Sequence, residues 1–116
     1  MKIAALIPAA GSGTRLGKGP KAFLPLGDGS LLSYALAAFE RHVNEIVVAI
    51  SETMQSEIDK HVSPSVGVIM GGKTRQESVY CLLQATDADI VLIHDAARPF
   101  LPAKVIRDSI EAVRRC

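Results

Sequence analysis

The segment Pro8-Ala9-Ala10-Gly11-Ser12-Gly13-Thr14-Arg15-Leu16-Gly17 follows the apolar run Ile3 to Ile7 and leads into the pair Pro20-Lys21. A buried strand that ends in small residues, then glycines, then cations reads as a backbone-lined cradle for a polyphosphate. Glycine lacks a Cβ, so its amide can approach an anion closely, while Arg15, Lys18 and Lys21 bring positive charge. Two familiar phosphate loops do not fit. The dinucleotide fingerprint needs a third glycine where Leu16 stands, and Gly17 comes one residue late. The P-loop needs four residues before its Gly-Lys, but only three separate Gly13 from Gly17-Lys18, and Gly19 follows where Ser or Thr should stand. The same residues also fit an ordinary tight connection after a strand.

Ligands of open parallel sheets lie beyond the carboxyl ends of the strands, so the residues after each apolar run are the ones to inspect. Three such segments are candidates: the Gly-rich loop, Gly71-Gly72-Lys73-Thr74-Arg75, and His94-Asp95-Ala96-Ala97-Arg98-Pro99. Asp95 suits Mg²⁺ held against phosphate oxygens, a hard cation among hard ligands; it equally suits the cap of a following turn. Arg98 can clamp the phosphate of a second substrate, or pair with a surface carboxylate. Arg15 and Lys21 can neutralise the charge that builds up on an α-phosphate under attack; the alternative is a solvated surface loop, which fits Lys18 as well. Gly71 and Gly72 permit close approach to a flat base, and Thr74, Arg75 and Ser78 offer polar contacts at a helix start; a tight turn with a capping box accounts for the same letters. His94 reads as structural, because no third group suggests a catalytic triad. His42 and His61 fall at helix ends, where the dipole accounts for them.

These loops must be carried by alternating elements. Apolar runs at Ile3 to Ile7, Ile46 to Ile50, Val66 to Met70 and Ile90 to Ile93 predict strands. Helical spacing is read at Leu31 to Phe39, at Met54, Ile58 and Val62, from Thr74 through Val79, Leu82 and Leu83, and at Val105, Ile106, Ile110 and Val113. Strands alternating with helices predict an α/β fold, a parallel sheet with helices on both faces. Ser30 is placed to cap the first helix, Thr74-Arg75-Gln76-Glu77 has the form of a capping box, and Pro102 suits a first helical turn. Gly27-Asp28-Gly29 reads as a turn and not a domain boundary.

With 116 residues the chain is one domain's worth of material or part of one. Thirteen Lys and Arg balance twelve Asp and Glu, which gives no bulk attraction to nucleic acid or a membrane. Cys81 and Cys116 form neither a metal cluster nor a disulfide framework, so a reducing, cytoplasmic setting is expected. Met1-Lys2 and the apolar residues after it imitate a signal peptide, but Pro8 interrupts them, and a retained first strand is expected. No apolar stretch has the length of a membrane span.

Taken together, Pro8-Ala9-Ala10-Gly11-Ser12-Gly13-x-Arg15, Pro20-Lys21, Gly71-Gly72-x-x-Arg75-x-x-Ser78-Val79 and His94-Asp95-Ala96-Ala97-Arg98-Pro99 resemble the 2-C-methyl-D-erythritol 4-phosphate cytidylyltransferase family in order and spacing. The resemblance implies a Rossmann-like nucleotidyltransferase that joins CTP to a polyol phosphate with Mg²⁺ and releases pyrophosphate, in non-mevalonate isoprenoid synthesis. It implies that Ala9, Ala10, Gly11, Gly13 and Arg15 surround the triphosphate and part of the nucleoside, and that Arg15 and Lys21 are catalytic. Gly72, Arg75 and Ser78 would lie beside cytosine. Asp95 would serve the metal and the second substrate, with Ala96 near the ribose and Arg98 near the polyol phosphate. Family members run well past residue 116 and supply further substrate contacts and a dimerising arm, so residues 1–116 are expected to be the nucleotide-binding part of one cytidylyltransferase domain, homodimeric in full. Lys73 stands where some relatives carry an acid. Ribitol-5-phosphate cytidylyltransferase and a non-catalytic nucleotide-binding module are the alternatives.

Overall fold

The computed structural model describes residues 1–10, 21–96 and 102–115, and of Lys21 the backbone alone. Strand β1 (Ile3–Pro8) is buried along its whole length and pairs in parallel with β4 (Glu45–Ile50) on one side and β6 (Ile90–Ile93) on the other. Strand β5 (Gly67–Met70) pairs in parallel with β4, which gives the order β5-β4-β1-β6. Continuous apolar letters in β1 and β4 are what a strand covered on both faces requires.

Each face has its own apolar layer. Ile3, Ala5 and Ile7 of β1 and Ile46, Val48 and Ile50 of β4 pack with helices α1 (Leu31–Phe39) and α3 (Ala103–Arg114), through Leu32, Leu36 and Phe39 and through Ile106 and Ile110. The alternate residues Ala4, Leu6, Val47 and Ala49 face helix α2 (Arg75–Gln84), whose one buried apolar side chain is Leu82. Full burial of a leucine or isoleucine contributes about 1.5–3 kcal/mol, so these layers, and not helix propensity, hold the helices down. The helices therefore lie on both faces of a parallel sheet, as the hydrophobic pattern predicts.

Caps set the helix starts. Ser30 Oγ accepts the Ser33 N–H at 3.1 Å, and Ser33 Oγ accepts the Ser30 N–H at 2.8 Å, a capping box in which serine replaces the usual glutamate. Pro102 is the cap residue of α3 and not part of its first turn, one position earlier than predicted. Gly27 and Asp28 join the short strands β2 (Pro25–Leu26) and β3 (Gly29–Ser30) in a hairpin, with Gly27 at φ +59°, a left-handed conformation that glycine adopts freely. At the sheet's amino end, Asn44 Oδ1 accepts the Ile3 N–H and the Asn44 N–H donates to the Ile3 carbonyl, both at 2.8 Å.

The helical spacing of Met54, Ile58 and Val62 does not produce an α-helix. The chain makes two 3₁₀ turns instead, Glu52–Met54 and Ile58–Lys60. Met54 and Ile58 are buried as their spacing demands, but Ser51 Oγ pairs with Thr53 Oγ1 at 3.0 Å and caps nothing, and Pro64 stands two residues beyond Val62. Without a cap to satisfy the first amides, the segment closes i to i+3 bonds only. The edge strand β5 leaves Val68 and Met70 exposed, and Leu83, Val105 and Val113 of the predicted apolar stripes also face outward. Among the described residues no helix is long and apolar enough to cross a membrane.

Candidate nucleotide site

The described first residues of the three predicted loops leave the carboxyl edge of the sheet together. Each strand's ladder continues for one residue into its loop: the Ala9 N–H donates to the Ala49 carbonyl at 2.9 Å, Gly71 to Ile50 at 2.8 Å and His94 to Leu6 at 3.1 Å. Parallel strands in register thus deliver Ala10, Gly71 and Asp95 to one side of the sheet.

Gly71 shows how closely two of these loops approach. A Cβ added there would lie 2.6 Å from Ala10 Cβ, 2.6 Å from Ser78 Oγ and 3.3 Å from Ala49 Cβ. Only a hydrogen fits, so the segment after β1 and the start of α2 meet across Gly71. Ser78 is fully buried, and its Oγ accepts the Gly72 N–H at 3.1 Å. A side chain at Gly72 would collide with Glu77. The spacing Gly71-Gly72-x-x-x-x-x-Ser78 therefore has a structural cause: the last residue holds the second glycine from one helical turn below.

The helix start itself differs from a standard capping box. Thr74 Oγ1 accepts the Glu77 N–H at 3.1 Å, as predicted, but Glu77 Oε2 accepts the N–H of Lys73, one residue before the cap, also at 3.1 Å. A carboxylate thus occupies the place at a helix N-terminus where an anion would gain most. A second anion at these amides is therefore disfavoured. Arg75 is exposed on the first turn of α2.

On the other side of β1, Ala96 is fully buried, as is Ala9, and both methyl groups belong to the α1/α3 apolar layer. What these two alanines can offer a ligand is backbone. Ala10 is half-buried beside Gly71. Asp95 is exposed at the end of β6. The ring of His94 meets Phe39 edge to face, with centroids 5.3 Å apart, which places it as packing between β6 and α1, in keeping with its structural assignment. Gly11, Gly13, Arg15, Lys18 and Arg98 lie outside the described residues, as does the side chain of Lys21.

The backbone of Lys21 opens a 3₁₀ turn, Lys21–Phe23, that packs on α1. Ala22 is fully buried, and the ring of Phe23 stacks on His61 at 4.1 Å with 6° between the planes. His61 Nδ1 lies 2.8 Å from Ser30 Oγ. Burial lowers the His61 pKa from its ordinary value; Glu57 opposes this and Lys60 adds to it. A helix C-terminus would raise it, so partial burial, and not the dipole, governs this histidine, which corrects the expectation from its position. No short-range sequence signal announces the Phe23–His61 stack.

Among the described residues no three His, Cys, Asp or Glu side chains are grouped to hold a metal. Mg²⁺ is commonly held by one or two carboxylates plus substrate phosphates, and a single exposed carboxylate such as Asp95 fits that mode and not an all-protein cage.

A family model described as 2-C-methyl-D-erythritol 4-phosphate cytidylyltransferase matches residues 3–116. The chain is 52% identical to the protein of that name from Deinococcus radiodurans, over 97% of this chain and 47% of the relative, and 43% identical to that from Thermus thermophilus, over 99% and 52%. The crystal structure of the Thermus thermophilus enzyme superposes with a TM-score of 0.77 at 39% identity, over 99% of this chain and 51% of that one. The Francisella tularensis enzyme does so with a TM-score of 0.80 at 28% identity, over 100% and 54%. The chain spans about half the length of the curated relatives it matches. With the nucleotidyltransferase fold, the convergent loops and a match along nearly its whole length, the chain belongs to the 2-C-methyl-D-erythritol 4-phosphate cytidylyltransferase family.

Proposed function

We propose that this chain carries the nucleotide-binding part of an enzyme that transfers CMP from CTP to 2-C-methyl-D-erythritol 4-phosphate, giving 4-diphosphocytidyl-2-C-methyl-D-erythritol and pyrophosphate. The observation that carries the proposal is the meeting of Ala10, Gly71 and Ser78 at the carboxyl edge of the sheet, which brings the end of β1 and the start of α2 together where ligands of open parallel sheets bind. Membership of the family supplies the substrates' names.

In this reading the base lies along Gly72, which Ser78 holds from beneath, flanked by Arg75, and the ribose lies near Ala96. Ala10, Gly11 and Gly13 offer backbone amides to the triphosphate, Ala9, whose N–H is held by Ala49, lines its approach through the rest of its backbone, and Arg15 adds charge. A phosphate oxygen of the acceptor attacks the α-phosphorus; the bond from that phosphorus to the β-phosphate bridging oxygen breaks, and pyrophosphate carries the electron pair away. Arg15 and Lys21 offset the negative charge that grows on the α-phosphate as this happens, the step on which phosphoryl-type transfer mainly depends. Asp95 would hold Mg²⁺, which when bound neutralises phosphate charge, and Arg98 would orient the acceptor's phosphate. The proposal includes a homodimer of the whole protein and a cytoplasmic location, the latter consistent with the free thiol of Cys81.

³¹P NMR of the full-length protein with CTP, Mg²⁺ and 2-C-methyl-D-erythritol 4-phosphate tests the proposal. Pyrophosphate and a new diphosphate diester are expected. Turnover with ribitol 5-phosphate in place of that acceptor, or CTP binding without turnover of either, would overturn it.

A further inference from the structure

We propose that His61 is a positioning residue for Lys21. The imidazole joins three segments that are distant in sequence. Its face stacks on Phe23, two residues beyond Lys21 and in the same 3₁₀ turn. Its Nδ1 meets Ser30 Oγ at 2.8 Å, and that oxygen also accepts the Ser33 N–H that caps α1. Its own backbone N–H donates to the Ile58 carbonyl at 2.9 Å, which ties it to a turn anchored in the core by Ile58 and Met54.

The geometry constrains the ring in both ways a ring can move. The hydrogen bond to Ser30 fixes its rotation in plane, and the 6° stack on Phe23 fixes its tilt. Ser30 in turn is 2% exposed and held at the helix N-terminus, so the ring refers Phe23 to a rigid element. A three-residue 3₁₀ turn has little stiffness of its own. Ala22 is fully buried and Phe23 half-buried, so the turn is held through these two side chains. Beside the packing of the turn on α1 through Ala22, the stack on His61 is the lateral contact that holds the backbone from which Lys21 extends. The stack and the Ser30 contact each hold only modestly, but a shift of about 1 Å in a charge aimed at a transition state is enough to matter.

The inference rests on the proposed role of Lys21 in turnover, and a double-mutant cycle separates the two. Steady-state kinetics are measured on the full-length protein with CTP and 2-C-methyl-D-erythritol 4-phosphate, for His61→Ala, Phe23→Leu, Lys21→Ala and the two doubles with Lys21→Ala. We expect His61→Ala and Phe23→Leu each to lower kcat roughly tenfold with KM for CTP nearly unchanged, and to cause no further loss once Lys21 is alanine. His61→Phe keeps a stacked ring of similar size and should restore most of the kcat lost in His61→Ala, and it serves in the cycle should the alanine variant fail to fold. A merely structural role would lower kcat by the same factor whether or not Lys21 is present, and that outcome, or wild-type kcat in both His61→Ala and Phe23→Leu, overturns the inference alone. Unchanged kcat in Lys21→Ala overturns the role of Lys21 itself and this inference with it.

Discussion

Gly71→Ala is the most direct probe of how the site is assembled. The added Cβ would sit 2.6 Å from both Ala10 Cβ and Ser78 Oγ, about 1 Å inside ordinary contact distance. Neither neighbour can step aside easily. Ala10 follows a residue whose N–H is bonded to Ala49, and Ser78 is fully buried on α2 with its Oγ accepting the Gly72 N–H. Gly71 has no left-handed backbone, so the whole effect comes from crowding. Relief requires the β5–α2 loop to move away from β1 by about 1 Å, at a cost of ~1–3 kcal/mol in stability. The same movement displaces Gly72 and the start of α2, which should weaken CTP binding and cost up to about 100-fold in turnover. Urea unfolding and calorimetric titration with CTP measure the two effects. Ala10→Gly in the same chain removes one of the two collisions and should recover part of both losses. A Gly71→Ala protein with wild-type unfolding midpoint and CTP affinity would refute the claim that these loops are held against one another.

Leu82→Ala empties the one buried apolar anchor of α2 and should lower unfolding free energy by about 2–5 kcal/mol in chemical denaturation, with weaker CTP binding as the helix start loosens. Ser30→Ala removes both the α1 cap and the partner of His61, and should cost ~0.5–2 kcal/mol in the same assay. His61 gives a pH dependence of known sign. Its folded pKa is depressed by burial, with Glu57 opposing and Lys60 assisting, while the groups that the Lys21 turn and α1 bring against it, Phe23 and Ser30, are uncharged. Below about pH 6.5 the unfolded chain therefore binds more protons than the folded one. Its contribution is complete above that value and is lost as pH falls toward the folded pKa. Unfolding midpoints measured from about pH 7.5 down to about pH 5 should fall more steeply for the wild type than for His61→Phe; parallel curves would count against it.

Much of this was legible in the residues, for physical reasons that differ by element. Strands β1 and β4 announce themselves because burial on both faces demands unbroken apolar runs. Ser30 and Thr74 announce helix starts because a hydroxyl there has one obvious task. The Gly-Gly pair pointed to close approach, but its partner, Ala10, is far away in the chain and only the sheet order brings it near. The segment around Met54 and Ile58 was misread because two buried residues at i and i+4 satisfy a pair of tight turns as well as a helix; the deciding fact, that the Ser51 hydroxyl is engaged by Thr53, is not a matter of spacing. The Phe23–His61 stack and the Glu77–Lys73 bond were invisible for the same reason: each depends on where a side chain turns after the backbone is set.

The sheet order also dictates when the fold can form. Of the four strands that the described residues bring to the parallel sheet, the first to be synthesised is a central one, and neither neighbour exists when it emerges. Its β4 partner begins only at Glu45, and β6 only at Ile90. Until then Ile3 to Ile7 is an unpaired, wholly apolar strand with two open edges, the kind of segment that seeks partners on other chains. Pairing β1 on either side therefore means closing a long loop, the kind of contact that slows folding, and the topology places a demand on keeping Ile3 to Ile7 apart from its copies until then.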